Sequence, residues 1–253
     1  MLKSDSPLAS SNCSDGLSGA RANAPFYMTQ ASRRDTAAIP AKIYDADCRR
    51  CPRLAHFRDD VRDAHPSYFC LPVPPFGAAR AGLVIVGLAP GMHGANASGR
   101  PFTGDHAGIL LYATLHKFGF ASQPRSTGVD DGMRLIDARI TNAVKCLPPG
   151  NKPLPAEIKV CNAYLAAELA TLSPGTAILV LGRIAHEATL RALGLPGRDH
   201  PFAHGAEHAL ASGARLFDSY HCSRYNTNTR RLTTAMFEQV FAAVSRFVAL
   251  RSR

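Results

Sequence analysis

Four short apolar runs punctuate the chain between residues 83 and 220. Leu83-Val-Ile-Val-Gly87 and Ala177-Ile-Leu-Val-Leu181 are apolar almost throughout and close on Gly87 and Gly182. Unbroken apolarity over so short a run marks a strand buried on both faces, as in a parallel sheet. Asp137-Ala-Arg-Ile-Thr141 and Arg215-Leu-Phe-Asp-Ser-Tyr220 are read as two further strands. Between the strands the period becomes helical. Ile109, Leu110, Tyr112, Ala113 and Phe118 recur at near-helical spacing. Pro155-Ala-Glu157 opens a helix with Ile158, Cys161, Leu165 and Leu169 on one face, proline being suited to a first turn. A helix is predicted from about Ile184 to Leu193, and a last one from about Leu232 to Leu250 with Met236, Val240, Ala243 and Phe247 as its stripe. Strands alternating with helices imply an α/β fold whose parallel sheet is covered on both faces.

Residues from about 40 to 253 are read as one domain. Residues 1–39 are rich in Ser, Ala and Gly and lack a basic start followed by an apolar core, so they read as a flexible tail rather than an export signal. Cys13 lies in that tail and is taken as a bystander. No apolar run reaches the length of about 18 residues that a membrane helix needs, so no membrane association is expected. The expected location is cytoplasmic and the expected state a monomer. The net charge of +10 favours an anionic partner only slightly over a merely charged surface.

The cysteines narrow the picture. There are seven, and a reducing compartment argues against disulfides. Cys48-Arg-Arg-Cys51 is a CxxC pair, and Cys146 and Cys161 form a second, wider pair. Two such pairs can converge into one four-thiolate site, for which structural zinc and a [4Fe–4S] cluster are both compatible. Cys70 and Cys222 have no close partner and are taken as non-ligands.

In an open parallel sheet, ligands bind beyond the carboxyl ends of the strands. Three segments fall there: the glycine-rich loop Gly87-Leu-Ala-Pro-Gly-Met-His-Gly-Ala-Asn96, the segment Asn142-Ala-Val-Lys-Cys146 with Pro148-Pro-Gly-Asn-Lys152, and His221-Cys-Ser-Arg-Tyr-Asn226. Glycines let backbone N–H groups approach an anion, yet the loop is neither a dinucleotide fingerprint nor a P-loop. Phe102, just beyond it, can stack on a flat ring or serve the core.

These segments resemble a known family. GLAPGMHGANASGRPFTGD (87–105), TNAVKCLPPGNKP (141–153) and HCSRYNTNTRRLT (221–233) are similar, in order, to the three motifs of the type b, or family 5, uracil-DNA glycosylases, and CRRC followed by Pro-Arg-Leu resembles their iron–sulfur opening. The resemblance implies a three-layer α/β/α domain with a central four-stranded parallel sheet. It also implies a DNA glycosylase that removes uracil in base-excision repair, with its breadth over other deaminated bases left open. Cys48, Cys51, Cys146 and Cys161 would hold a structural [4Fe–4S] cluster. Gly87, Leu88, Ala89 and Phe102 would bind the flipped base. Asp105, Asn151 and His221 would carry catalysis, with His93 a competing residue for activating water. Arg224, Tyr225 and Arg230 would meet DNA, Tyr225 as the wedge, and Arg231 would lie near phosphate height.

Two departures from the family pattern matter. Many members carry a small apolar residue where this chain has Asn142; an asparagine there offers the acceptor and donors that uracil N3–H and O4 require. The usual His-Pro-Ser-Pro becomes His221-Cys-Ser-Arg, losing two fixed φ angles. Two other classes stay open at this point: a non-enzymatic iron–sulfur nucleic-acid-binding protein, and a small-molecule α/β enzyme using the glycine-rich loop for phosphate.

Overall fold

The apolar runs become neighbouring strands of one sheet in the structure, a computed structural model that describes residues 42–250. The expected tail at 1–39, with Cys13, lies outside the described residues. The strands are β1 (Phe76–Gly77), β2 (Leu83–Gly87), β3 (Ala138–Asn142), β4 (Ala177–Leu181), β5 (Glu207–Ala209) and β6 (Arg215–Ser219). Their order is β1-β3-β2-β4-β6-β5. The inner four run parallel, and the short edges β1 and β5 are antiparallel. The α/β class is as expected, but the sheet has six strands rather than four. The edge strands hold two and three residues, too few for any periodicity to announce them.

The helices are α1 (Pro52–Ala64), α2 (Ala95–Ser98), α3 (His106–Lys117), α4 (Pro155–Leu169), α5 (Arg183–Leu193), α6 (Arg224–Asn228) and α7 (Thr234–Leu250). Alternate strand residues enter opposite layers. Leu83, Ile85, Leu179 and Phe217 pack with Leu111 and Leu115 of α3 and with Phe237 and Phe241 of α7. Val84, Val86, Ile178, Val180 and Leu216 pack with Leu165 and Leu169 of α4 and with Ala188 of α5. β2 and β4 are apolar throughout because helices cover both of their faces.

Two helical faces differ from the periodic expectation. Ile109 is 64% exposed, while α3 buries Ala107, Gly108, Leu111, Tyr112 and Leu115. The small residue Gly108 belongs to the buried face, because a side chain there would collide with the Phe102 carbonyl oxygen. In α7 the buried stripe is Phe237, Val240, Phe241, Val244 and Val248, and Met236, Ala243 and Phe247 flank it half-buried.

Ion pairs fix the segments that reach the strand ends. Arg53 of α1 donates to both carboxylate oxygens of Glu157 on α4, at 2.8 and 2.7 Å, and Glu157 also accepts from the Leu154 N–H at 2.7 Å. This pair ties the CxxC turn to the helix that carries Cys161. Beneath the end of β3, the buried Glu168 accepts from Arg139 (2.6 Å), Thr141 (2.8 Å) and Lys145 (3.2 Å). Burial would raise the Glu168 carboxyl, but the adjacent cations Lys145 and Arg139 hold it below its usual range. Arg100 binds Asp131 at 2.7 Å and lies 4.5 Å over the Phe76 ring, anchoring the far end of the glycine-rich loop.

Candidate functional site

The loops leaving β2, β3, β4 and β6 enclose a cleft of about 540 Å³. Leu88, Ala89, Phe102, Asp105, Asn142, Asn151, His221, Arg224 and Tyr225 all line it. Residues predicted from three separate stretches of sequence are therefore brought to one place. Gly87 lies directly behind: a Cβ there would meet the Asn142 amide oxygen and would stand 2.8 Å from Cζ of Phe102. Only glycine lets these two side chains close over the end of β2.

Phe102 holds a left-handed backbone, φ 59°, a conformation that non-glycine residues adopt at a cost of about 1–3 kcal/mol. Its ring is nearly buried and its centroid lies 6.2 Å from that of His221. Asn142 ends β3 opposite Gly87. It is 2% exposed, and its Oδ1 has no hydrogen-bond partner. A buried amide acceptor left unmade costs about 1–3 kcal/mol, so its retention beside a cleft points to a ligand that completes it.

Asp105 precedes α3 and accepts the Ala95 N–H at Oδ2, 3.1 Å away. Its carboxylate fills the space over Gly91 and Gly94, where any side chain would overlap it. Burial raises the Asp105 carboxyl, and the Ala95 N–H offsets only part of that. His221, three residues beyond Asp218 and the body of β6, is pushed down to about 4 by burial, so its imidazole is neutral at pH 7. The loss of two prolines from this loop is compensated locally. Cys222 is fully buried in the core, Asn226 Nδ2 donates to the His221 carbonyl at 2.8 Å, and the Ser223 hydroxyl caps α6. Asn151 enters the cleft from a turn with φ 58°.

The rim is basic and partly apolar. Tyr225 is 70% exposed on α6, beside the exposed Arg224. Arg230 is exposed outside the cleft lining, in a left-handed turn, and Arg231 lies 4.9 Å over the Tyr220 ring. Arg183, Ile184, His106 and Ser223 also line the cleft and were missed from the sequence. Arg183 and Ile184 follow β4, so the strand-end rule extended to that strand would have found them. His93 does not line the cleft; its Nδ1 meets the Tyr68 hydroxyl at 2.9 Å.

The four paired cysteines share a second, smaller pocket. Cys48, Cys51, Cys146 and Cys161 line it with Leu54, Val144 and Tyr164. Cys70 and Cys222 pack elsewhere. Cys161 Sγ accepts the Lys145 N–H at 3.3 Å. Arg58 is 2% exposed and donates to the Cys48 carbonyl at 3.0 Å, while its Nε and Nη1 have no partner. Burial pushes the Cys146 thiol up to about 12, and the positive charge of Arg58 opposes that shift.

The chain thus combines a sheet whose inner four strands run parallel, a cleft at their carboxyl ends and a cysteine pocket, and sequence comparison identifies its class. The uracil DNA glycosylase superfamily model matches residues 74–245, and the chain belongs to that family. It is 45% identical over 208 residues to a type-5 uracil-DNA glycosylase of Thermus thermophilus, covering 80% of this chain and 94% of that protein. It is 42% identical over 211 residues to the type-5 enzyme of Mycobacterium tuberculosis, covering 80% and 79%. A type-4 uracil-DNA glycosylase of Archaeoglobus fulgidus is 34% identical over 139 residues, 54% of this chain and 56% of that protein.

Proposed function

We propose that the cleft receives a uracil flipped out of DNA and that the chain hydrolyses its N-glycosidic bond. The observation that carries this reading is the buried, unpartnered Asn142 oxygen between Gly87 and Phe102. Uracil N3–H can donate to that oxygen while the Asn142 amide N–H donates to O4; cytosine presents the reversed pattern. Phe102 offers its ring to the base, and the Gly87-Leu88-Ala89 backbone supports its edge.

The C1′–N1 bond breaks with its electron pair passing to the base, leaving an oxocarbenium-like sugar. The neutral His221 donates a hydrogen bond to O2 as negative charge builds there, without placing a full positive charge in the ground state. Asp105 stabilises the sugar cation and takes a proton from the water that attacks C1′. Its raised carboxyl makes it a better base than an ordinary aspartate. Asn151 holds that water. Tyr225 fills the gap in the stack, and Arg224 and Arg230 meet phosphates.

The cysteine pocket fits a [4Fe–4S] cluster held by Cys48, Cys51, Cys146 and Cys161. Support comes from the four cysteines lining one pocket, the N–H donated to Cys161, and the unpartnered Arg58 nitrogens that an anionic group would satisfy. When bound, the cluster supplies a structural cross-link between the CxxC turn, the loop after β3 and α4. The assay that tests the function follows uracil release and alkali-labile abasic sites from a uracil-containing duplex. Activity with the iron-loaded protein supports the reading; binding without base release would move the chain to a non-enzymatic class.

A further inference from the structure

A second group of ligand-bearing side chains lies outside both sites. His186 on α5, His208 on β5 and Asp218 on β6 bring one ligand atom each within 4.8 Å of one another, and none of them lines the cleft. The Asp218 side chain is fully buried and that of His186 is 2% exposed, while that of His208 is 12% exposed and opens the group to solvent. His186 Nδ1 stands 2.7 Å from one carboxylate oxygen of Asp218, and His208 Nε2 stands 3.4 Å from the other.

Proton accounting makes the group informative. His186 Nε2 lies 2.9 Å from the His200 carbonyl, which only accepts, so Nε2 carries the hydrogen. In a neutral ring, Nδ1 would then be a lone pair aimed at a carboxylate. At 2.7 Å the pair is a hydrogen bond that holds a second ring proton; a metal ion bound to both atoms would take that proton's place and open the pair to about 3.3 Å. A ring N–H donated to a backbone carbonyl is the usual support of a metal-binding histidine, because it fixes the tautomer. His200 adds a further nitrogen nearby. Its Nδ1 meets the Pro196 carbonyl at 3.1 Å, leaving Nε2 as the free lone pair, and its ring centroid is 5.5 Å from that of His208.

We propose that His186, His208 and Asp218 form a zinc site. Two imidazoles and one carboxylate suit zinc rather than magnesium or calcium, which prefer oxygen alone. The ion would staple the edge strand β5 to α5, directly before the loop that presents His221. Binding displaces any second proton from His186 Nδ1, with no redox change.

The test uses iron-loaded, full-length protein freed of loose metal and then dialysed against equimolar zinc chloride, with zinc and iron measured together. Wild type should retain about one zinc per chain beside its iron. His208→Ala should lower zinc at least tenfold with iron unchanged. His208→Gln, which can still hydrogen-bond Asp218, guards against simple misfolding and should also lose zinc. Zinc at a hundredfold excess over its Kd should raise the wild-type Tm by about 5–10 °C and leave His208→Gln unmoved. No zinc retained by iron-loaded wild type, or equal zinc in wild type and both variants, overturns the site.

Discussion

Asn142 and Cys146 stand four residues apart on one segment, yet the cleft and the cysteine pocket they serve are built on opposite rules. The cleft is open and leaves polar groups unsatisfied: the Asn142 oxygen has no partner and the His221 ring is kept neutral. The cysteine pocket is walled by Leu54, Val144 and Tyr164, and burial presses its thiols toward the protonated state. A site that exchanges substrate every turnover keeps its unmet bonds ready for a visitor. The cysteine pocket, for which a permanently held cluster is proposed, is closed on all these sides.

The contrast predicts different failures. Cys146→Ser should cause the largest loss. If the pocket holds the proposed cluster, losing one ligand costs about 4 kcal/mol or more, a fall in Tm of roughly 8–16 °C for a domain of this size, with iron and excision lost together. A variant that lost iron but kept its melting temperature would show that the pocket does not cross-link the fold. His221→Gln should do the reverse. Excision should drop about 10²–10³-fold, the scale of one lost transition-state donor, with iron content and Tm nearly unchanged. A comparable drop in Tm would make His221 a packing residue.

The acid behaviour sharpens the same point. A histidine whose folded pKa is depressed to about 4 binds its proton more readily in the unfolded chain, so its contribution to stability is present above about 6.5 and is lost as pH falls toward 4. Single-turnover excision should therefore show no His221 ionisation near pH 6.5. An inflection near 6.5 that disappears in His221→Gln would mean that the imidazole is charged in the free enzyme. The smallest effect is expected at the rim. Arg224→Ala should weaken DNA binding and reduce the log–log salt slope by about 0.9, leaving base preference unchanged. An unchanged slope would place Arg224 off the phosphate backbone.

How much of this was legible in the sequence depended on the range of the interaction. β2 and β4 declared themselves because both of their faces are buried, and the motif residues Phe102, Asn142 and His221 followed from strand ends and family resemblance. The edge strands β1 and β5 did not, being two and three residues long. The buried face of α3 was misplaced because Gly108, not Ile109, faces inward. Asp218 lay within a predicted strand, Arg215–Tyr220, with nothing local to mark it as a ligand. Its partners His186 and His208 lie 32 and 10 residues away, and only the folded sheet brings them together. The same holds for Arg58 and for the Glu168 cluster, whose cations come from β3 and the loop after it.

The central claim is that Asn142 reads uracil, and one comparison tests it most directly. Single-turnover excision of uracil and of hypoxanthine should be measured with wild type and Asn142→Ala, both iron-loaded and of equal Tm. Losing a bonded partner in a buried site costs about 1–3 kcal/mol, so uracil excision should fall roughly 5- to 150-fold. Hypoxanthine, which lacks uracil's O4 and N3 geometry, should lose less. Equal losses on both bases would show that the unpartnered oxygen of Asn142 has another purpose and would contradict the account.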